Sequence, residues 1–444
     1  MKTAPRSGGL QVVLWLALYV AAVTLPLFAL LADAKTGGRG WLWDFAMALG
    51  YAGLAMLCVQ FALTARFRHA TAPFGIDVVY RFHRHLALLA LGMVMAHYLL
   101  LRWHNPAALG PGDPRLALGH MTAGRVALAL FLAVALLSLL RRRLGAEYDR
   151  WRRLHAAMST AGLALALWHL AGSGHYLDTD WKQGLWAAYG AFWMGVILHV
   201  RVLRPFRLLR QPWCVSQVHA ERGRVCTLVL TPPAGVQMHF APGQFVWLSL
   251  GASPFAMREH PFSIASSARQ TEQVALSIKA LGDFSTAVAK TRVGETAWVD
   301  GPYGTFGIDH HPGAAGFVLI AGGIGVAPMM SMLRTLADRG DRRPLWLFYG
   351  NRDWDRVAFR EELQQLTQRL DLRVVHVLSE PPPRWTGERG FIDAAVLARH
   401  LPARRDGLEF LTCGPTPLTV AVEQALASLG VPARRVHAEL FEWV

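Results

Sequence analysis

The sequence predicts an α-helical membrane domain of six transmembrane helices, followed by a small antiparallel β-barrel domain and an α/β domain with a parallel sheet. Long apolar runs crowd into the first 205 of the 444 residues. After Arg210 the pattern changes to short strands of alternating character, which is typical of an antiparallel barrel. From Gly316 onward, strands alternate with helices, as in a doubly wound sheet. We therefore expect domains at residues 1–205, 206–309 and 310–444.

The first domain contains six apolar runs that are each long enough to cross a hydrocarbon core about 30 Å thick. The predicted spans are Leu10–Leu31, Trp43–Ala65, Val79–Leu101, Met121–Leu140, Trp151–Ala171 and Gly184–Leu203. The first run could instead be a signal peptide, because Ala32-Asp33-Ala34 resembles a cleavage site. Its apolar stretch is longer than the usual signal segment, which favours a span.

The formal net charge of +15 is concentrated on one side of the predicted membrane. The basic residues on that side are Lys2, Arg6, Arg66, Arg68, Arg81, Arg84, Arg141, Arg142, Arg143, Arg150, Arg152, Arg153, Arg204, Arg207 and Arg210. The opposite loops carry Lys35, Arg39, Arg102, Arg115 and Lys182. By the positive-inside rule, both termini are cytoplasmic. The charge therefore predicts a multi-pass protein of the cell's inner (plasma) membrane, with the lipid bilayer and not nucleic acid as its partner.

Four histidines form two pairs with the same spacing. His83 and His97 lie fourteen residues apart in the third span, as do His155 and His169 in the fifth. Fourteen helical steps return to within roughly 40° of the starting direction after about 21 Å, so each helix points two imidazoles from one face. Both spans start at the cytoplasmic face and run parallel, which pairs His83 with His155 (the inner pair) and His97 with His169 (the outer pair). Two stacked His–His sites suit two bis-histidine haems, and the four histidines are the predicted iron ligands.

His85 competes with His83 for the inner site, but it lies about 120° off the face shared with His97. Hydrogen bonding between helices is the alternative role for any single intramembrane histidine. Arg81, Arg84, Arg152 and Arg153 would surround the inner pair, where haem propionates need cations.

The barrel region contains two motifs that suit a flavin. His260-Pro261-Phe262-Ser263 is strand-like, with an aromatic ring to lie against a flat ligand and a hydroxyl to hydrogen-bond its edge. The segment from Lys279 through Gly282 to Ser285 and Thr286 precedes a helix, whose backbone N–H groups favour a pyrophosphate. Each motif is weak alone, and their order and spacing carry the interpretation.

The α/β region contains two motifs that suit a dinucleotide. Gly322, Gly323, Gly325 and Pro328 lie between a strand and a helix, as a phosphate loop requires, although the pattern departs from the usual dinucleotide fingerprint. Cys413-Gly414-Pro415 ends a later strand, where ligands bind in open α/β sheets. We expect Cys413 to line the nicotinamide, with simple packing as the alternative.

The order of these motifs resembles the ferredoxin–NADP reductase superfamily. Joined to six spans with two paired-histidine helices, the chain resembles the ferric reductase and NADPH oxidase family, in particular its compact bacterial members. The resemblance implies FAD in the barrel, NADPH (or NADH) on the α/β domain and two b-type haems in the membrane. It also implies that Phe441 or Trp443 covers the flavin, so these aromatics and Cys413 are candidate catalytic residues.

The function implied is electron transfer from cytoplasmic NADPH through FAD and two haems to an acceptor outside the cell membrane. The expected acceptor is a small molecule, most simply oxygen giving superoxide, and no obligatory protein partner is expected. The alternatives are a ferric-chelate reductase, a reductase of a quinone or partner protein, and a non-catalytic haem-binding membrane anchor.

Three further hypotheses concern single residues. Arg352 would hold a 2′-phosphate and favour NADPH. Trp193 would lie between the two haems, with a lipid-facing or simple packing position as the alternative. Arg125, with Arg102, His104 and His175, would place positive charge at the outer mouth, for a haem propionate or a reduced anionic acceptor.

Overall fold

The computed structural model describes residues 8–32, 40–67, 76–141, 143–174 and 176–440. The chain divides into two compact units, Met1–Pro205 and Phe206–Val444. The first unit is helical, and the second holds one antiparallel and one parallel sheet. The predicted fold class is therefore confirmed.

Within the described residues, six helices of the first unit are long and apolar enough to span a membrane. They are α1 (Gly8–Leu31), α2 (Trp41–Leu63), α3 (Ile76–His104), α4 (Gly119–Leu140), α5 (Tyr148–Ser173) and α6 (Asp180–Leu198). The last of them continues through a π-helical turn, His199–Leu203, into α7 (Arg204–Leu209). These helices cover the predicted spans to within a few residues at each end.

The helices of the first unit pack in two intimate pairs, α2 with α3 and α4 with α5. Glycine permits one of these close approaches, because a Cβ on Gly53 of α2 would lie 2.6 Å from Val94 Cγ2 on α3. Small residues serve this purpose between membrane helices. In contrast, Leu25 and Phe28 of α1 are 63% and 65% exposed, as expected of side chains that face lipid.

The second unit begins with a six-stranded antiparallel sheet in the order β4-β3-β6-β1-β2-β5. The strands are β1 (Trp213–Glu221), β2 (Val225–Thr231), β3 (Phe245–Leu250), β4 (His260–Ser263), β5 (Val274–Lys279) and β6 (Thr296–Tyr303). A bridge between Ile264 and Leu276 links the two ends of this order and rolls the sheet into a barrel. A short helix, α8 (Asp283–Ala287), follows β5.

The second sheet is six-stranded and parallel, in the order β10-β9-β8-β7-β11-β12. Its strands are β7 (Gly316–Gly322), β8 (Leu345–Asn351), β9 (Leu372–Leu378), β10 (Glu388–Arg389), β11 (Leu408–Gly414) and β12 (Val436–Leu440). Its helices are α9 (Val326–Arg339), α10 (Arg360–Arg369), α11 (Ala394–His400) and α12 (Thr416–Ser428). The strand order reverses between β7 and β11, so their carboxyl ends flank the crevice in which open α/β sheets bind ligands.

Candidate functional site

The outer pair of histidines is held by backbone carbonyls. His97 Nδ1 lies 2.8 Å from the carbonyl oxygen of Ala46, and His169 Nδ1 lies 3.0 Å from that of His120. A carbonyl can only accept, so each Nδ1 is the protonated nitrogen and each Nε2 keeps its lone pair. This is the tautomer that metal-ligating histidines adopt when a second group orients the ring.

Two glycines make room for these imidazoles. A Cβ on Gly50 of α2 would lie 2.8 Å from His97 Nδ1, and a Cβ on Gly124 of α4 would lie 2.7 Å from His169 Nδ1. Both distances are shorter than van der Waals contact, so glycine is required if the rings are to keep their positions. Each ring of the outer pair therefore has a carbonyl that orients it and a glycine beside it.

The inner pair is also brought together. The ring centroids of His83 and His155 lie 6.4 Å apart, and the Oγ of Ser138 lies 3.2 Å from His155 Nδ1. Among the described residues, the buried Nδ1 of His83 has no hydrogen-bond partner. His85, the competing residue, is exposed and its Nδ1 bonds to the carbonyl of Arg81. The geometry therefore favours His83 at this site.

The helices that carry the four histidines suit flat ligands between them. The backbones of α3 and α5 are not among the closely packed pairs, although their imidazoles face one another. Two oriented imidazoles and a third with an unpartnered buried nitrogen fit the donor set of two bis-histidine haems. The described residues are thus compatible with the predicted haem ligation, which stays a prediction.

The predicted cations around the inner pair stay a prediction. Arg81 and Arg84 are exposed, Arg152 and Arg153 are half-buried, and a further arginine, Arg201, lies near His155 in the π-helical turn after α6. Arg125 has backbone partners in place of the predicted anion. Its guanidinium donates to the carbonyl oxygens of Leu109 at 2.6 Å and Pro111 at 2.7 Å. It ties the loop between α3 and α4 to the start of α4.

Sequence reasoning missed His120, whose ring centroid lies 6.5 Å from that of His169. A Cβ on Gly172 would lie only 2.4 Å from His120 Cβ, so α5 makes room for this residue too. Trp193 is buried and packs edge-on against Phe192 and Tyr189. His175 lies outside the described residues.

The two flavin motifs of the barrel lie against each other. Phe284, at the start of α8, stacks on Phe262 with centroids 5.9 Å apart and lies 4.2 Å from the ring of His260. Pro261 pairs with Trp247 across β3 and β4. Among the described residues, the buried hydroxyl of Ser263 has no partner, which suits a hydrogen bond to a bound ligand.

The turn before α8 is closed by its own serine. Ser285 Oγ accepts from the backbone N–H groups of Leu281 and Gly282, both at 2.9 Å. The N–H of Thr286 is bonded to the carbonyl of Gly282. Ser285 and Gly282 therefore shape the predicted phosphate turn, and the backbone N–H groups of Asp283 and Phe284 at its tip are the ones that would meet a phosphate.

Lys279 connects the barrel to the nucleotide loop. Its Nζ lies 3.4 Å from the position that a Cβ on Gly323 would occupy. Burial lowers the pKa of Lys279, and the nearby charges of Arg356 and Arg224 lower it further. A cation held beside other cations at a glycine loop suits an anionic ligand, here the phosphates of a dinucleotide.

The glycine loop packs against the cysteine turn. A Cβ on Gly325 would lie 2.1 Å from the carbonyl oxygen of Cys413, and one on Gly414 would lie 3.1 Å from the nitrogen of Gly322. Gly323 has a φ of 54°, which favours glycine. Pro328 is buried in the first turn of α9, where its missing N–H costs nothing. The two motifs thus meet at the carboxyl ends of β7 and β11.

The thiol of Cys413 is fully buried, and burial raises its pKa well above the ordinary cysteine value. The group is therefore a neutral thiol and not a nucleophile. Contact with a nicotinamide would require movement of the residues that cover it, so its proposed role stays a prediction. Phe441 and Trp443, the other candidate catalytic residues, lie outside the described residues.

Arg352 is already paired. Its Nε lies 2.8 Å from Glu380 Oε2, and both side chains are more than half exposed. Glu380 follows β9 and Arg352 follows β8, so the two neighbouring strands bring these residues together. A carboxylate here suits a ribose hydroxyl and a guanidinium suits a 2′-phosphate, so the site contains groups for either nucleotide.

Family models match three consecutive parts of the chain. Residues 49–166 match the ferric reductase like transmembrane component, residues 215–306 an FAD-binding domain and residues 319–424 an oxidoreductase NAD-binding domain. The chain therefore joins a ferric reductase-like transmembrane component to an FAD-binding and an NAD-binding domain. The predictions of six apolar helices long enough to span a membrane and of flavin- and nucleotide-binding domains are confirmed.

Curated relatives match a part of the chain. An NADH-cytochrome b5 reductase 1 of Aspergillus terreus is 31% identical over 37% of this chain and 57% of its own length. A stachydrine N-demethylase reductase subunit of Rhizobium meliloti is 31% identical over 51% of this chain and 65% of its own length. The chain thus spans a little over half the length of such relatives. Among solved structures, a cytochrome P450 reductase of Amycolatopsis aligns over 52% of this chain and 69% of its own chain. The sequence identity is 24% and the TM-score is 0.46.

Proposed function

We propose that this chain, in which a ferric reductase-like transmembrane component precedes FAD- and NAD-binding domains, is a transmembrane electron-transfer enzyme. It would oxidise NADPH at the cytoplasmic face and reduce a small acceptor on the other side, with FAD and two b-type haems as its redox groups. The observation that carries the proposal is the set of four paired histidines, two of them held as the metal-ligating tautomer inside apolar helices. The basic loops favour cytoplasmic termini in the inner (plasma) membrane.

When bound, the flavin would take a hydride and release single electrons, which haem iron carries one at a time. The protein residues would position and isolate these groups. Lys279 and the glycine loop at Gly323 would hold the dinucleotide phosphates, and Ser263 would bond to the edge of the flavin. The carbonyls of Ala46 and His120 would keep the outer imidazoles facing the iron.

Oxygen, giving superoxide, is the proposed acceptor. A ferric ion would need free carboxylates, yet two of those at the predicted outer end are engaged. Tyr176 donates to Asp44 at 2.5 Å, and Lys182 donates to Asp178 at 2.9 Å. Oxygen is small and neutral, and it needs no charged docking site. Two molecules of superoxide should form for each NADPH, because a hydride carries two electrons and each oxygen accepts one.

A ferric-chelate reductase is the second candidate, favoured by the match of residues 49–166 to the ferric reductase component. A negatively charged chelate could be attracted by Arg102 and His104, which are exposed at the end of α3. A reductase of a quinone or partner protein ranks below these two. A non-catalytic membrane anchor is disfavoured by the matches to an FAD-binding domain at residues 215–306 and an NAD-binding domain at residues 319–424.

The test uses the full-length protein, loaded with haem and FAD in detergent or nanodiscs. NADPH oxidation is followed with oxygen as acceptor, then under argon with ferric citrate, and superoxide is measured by its dismutase-sensitive reduction of cytochrome c. A yield near two superoxide per NADPH supports the proposal. A yield near zero with rapid ferric reduction establishes the second candidate, and no NADPH oxidation with any acceptor refutes both.

A further inference from the structure

A cluster of two histidines and one glutamate lies in the second unit, on residues that the sites above do not use. His437 Nε2 is 2.9 Å from Glu409 Oε2, and His311 Nδ1 is 4.0 Å from the same oxygen. The two imidazole rings lie 4.1 Å apart with an angle of 33° between their planes. All three ligand atoms lie within 4.8 Å of one another.

The cluster is largely shielded from water. The side chains of His311, Glu409 and His437 are 22%, 16% and 27% exposed. In the part of the chain that the structure describes, Glu409 is partnered by these two imidazoles and by neither a lysine nor an arginine. A shielded carboxylate needs a cation beside it, and two imidazole nitrogens aimed at the same point could share one.

The donor set and its size suit zinc. Two imidazole nitrogens with one carboxylate oxygen are a common zinc ligand set, with metal–ligand distances of about 2.0–2.2 Å. Tetrahedral coordination at such distances separates the ligand atoms by about 3.4 Å. The two separations between the carboxylate oxygen and an imidazole nitrogen, 2.9 and 4.0 Å, lie on either side of that value, and the separation between the two nitrogens is within 4.8 Å. Side-chain rotations that move the ligand atoms by about 1 Å would therefore complete the site.

The three residues come from three separate segments. His311 follows the turn Ile308–His310 in the connection from β6 to β7, Glu409 lies at the start of β11, and His437 lies on β12. Glu409 precedes Cys413 by four residues, so the cluster lies about 13 Å along β11 from the cysteine turn. It is at the opposite end of the sheet from the predicted nucleotide site.

We propose that His311, Glu409 and His437 bind one Zn²⁺, with water in the fourth position. The ion would link the connection between barrel and parallel sheet to the last described strand. Its role would be to stabilise this edge of the second unit. The site is independent of haem, flavin and acceptor, so it goes beyond the proposed function.

The chain offers a matched control. His400 Nε2 lies 2.6 Å from Glu388 Oε1, which makes a second half-buried His–Glu pair in the same unit. Its other close partners are Arg399 and Arg373, which cannot ligate a metal. His400→Asn therefore removes a histidine from a comparable His–Glu pair. That pair has arginine neighbours and no second imidazole, so it should not bind zinc.

The experiment equilibrates haem- and FAD-loaded full-length protein with buffered free Zn²⁺ and measures zinc per chain by elemental mass spectrometry. This measurement does not depend on haem absorbance. The wild-type protein and His400→Asn should each retain one zinc per chain. His311→Asn, Glu409→Gln and His437→Asn should bind that zinc at least tenfold more weakly. Zinc should also raise the unfolding temperature of the second unit in the wild type but not in these three variants. FAD content and circular dichroism without zinc check that each variant is folded.

Equal zinc retention by the wild type and by folded His311→Asn and His437→Asn would overturn the proposal. So would a wild-type protein that holds no zinc at micromolar free concentration, since the cluster would then be an ordinary hydrogen-bonded ion pair. If a variant fails to fold, the other two substitutions and the zinc-induced shift in the wild type still decide the question.

Discussion

Gly124→Ala is the sharpest perturbation of the outer histidine pair. Gly124 lies on α4 beside the ring of His169, and its substitution adds a single methyl group. It removes no ligand and introduces no charge. The prediction therefore tests the position of the imidazole and not merely its presence.

The magnitude follows from the space available. The added Cβ would lie 2.7 Å from both Cγ and Nδ1 of His169, whereas carbon contacts are favourable at about 3.5–4.0 Å. The ring must therefore retreat by roughly 0.8 Å or more, which disturbs the 3.0 Å hydrogen bond from Nδ1 to the carbonyl of His120. Overpacking of this kind costs about 1–3 kcal/mol. If that cost falls on ligation, haem binds roughly 5- to 150-fold more weakly.

The assay counts haem per chain by pyridine haemochrome and resolves the two haems by reductive titration. Gly124→Ala should lose one haem in part or entirely, or shift its potential, while the haem at His83 and His155 is unchanged. Gly92→Ala is the control, because Gly92 lies on α3 between two of the histidines and a Cβ there meets nothing within 4 Å. Two haems of unaltered potential in Gly124→Ala would refute the assignment of His169 as a ligand in this position.

Further substitutions test three other assignments. His83→Ala should remove one of two low-spin haems, whereas His85→Ala should keep both, since the exposed His85 already bonds to a carbonyl; the reverse result would exchange their roles. Arg352→Ala should reduce the ratio of kcat/KM for NADPH to that for NADH roughly three- to tenfold, and Glu380→Gln should raise it, because the carboxylate engages the guanidinium that would hold a 2′-phosphate. An unchanged ratio in both variants would show that neither residue belongs to the nucleotide site. Burial and two nearby arginines lower the pKa of Lys279, so its charge is lost at a lower pH than that of an ordinary lysine, and KM for NADPH should rise there. Lys279→Arg should move that rise to higher pH, and identical pH profiles of KM in the two proteins would contradict the assignment.

The membrane unit was predictable because its signals are local. A helix repeats its faces within a few residues, so the spacing of His83 and His97 is enough to place both on one side. Long apolar runs need no tertiary information to indicate a span. The contacts that orient the rings were not predictable, because the carbonyls of Ala46 and His120 belong to other helices. Arg125 shows the same limit, since its partners are loop carbonyls that leave no mark in the sequence.

The second unit was predictable where a strand is largely apolar and ends in glycine, as at β7 and β11. Three strands, β1, β10 and β12, were not predicted. β10 has only two residues, and β1 and β12 are half-exposed and mix polar residues among the apolar ones. The pairing of Arg352 with Glu380 also needed the sheet, since 28 residues separate them in the chain. Parallel neighbours meet only through crossover connections, so their side-chain partners are distant in sequence.

The predicted haem ligands are visible in the sequence, whereas the proposed zinc ligands are not. The paired histidines repeat at one spacing within helices, so a periodic pattern shows them. His311, Glu409 and His437 are 98 and 28 residues apart, and the last lies on the unpredicted β12. Their proximity is created by the pairing of β11 with β12 and by the turn that precedes β7. A site of this kind depends on the parallel sheet being formed, so zinc binding should report folding of the second unit, whereas haem binding should report folding of the helices.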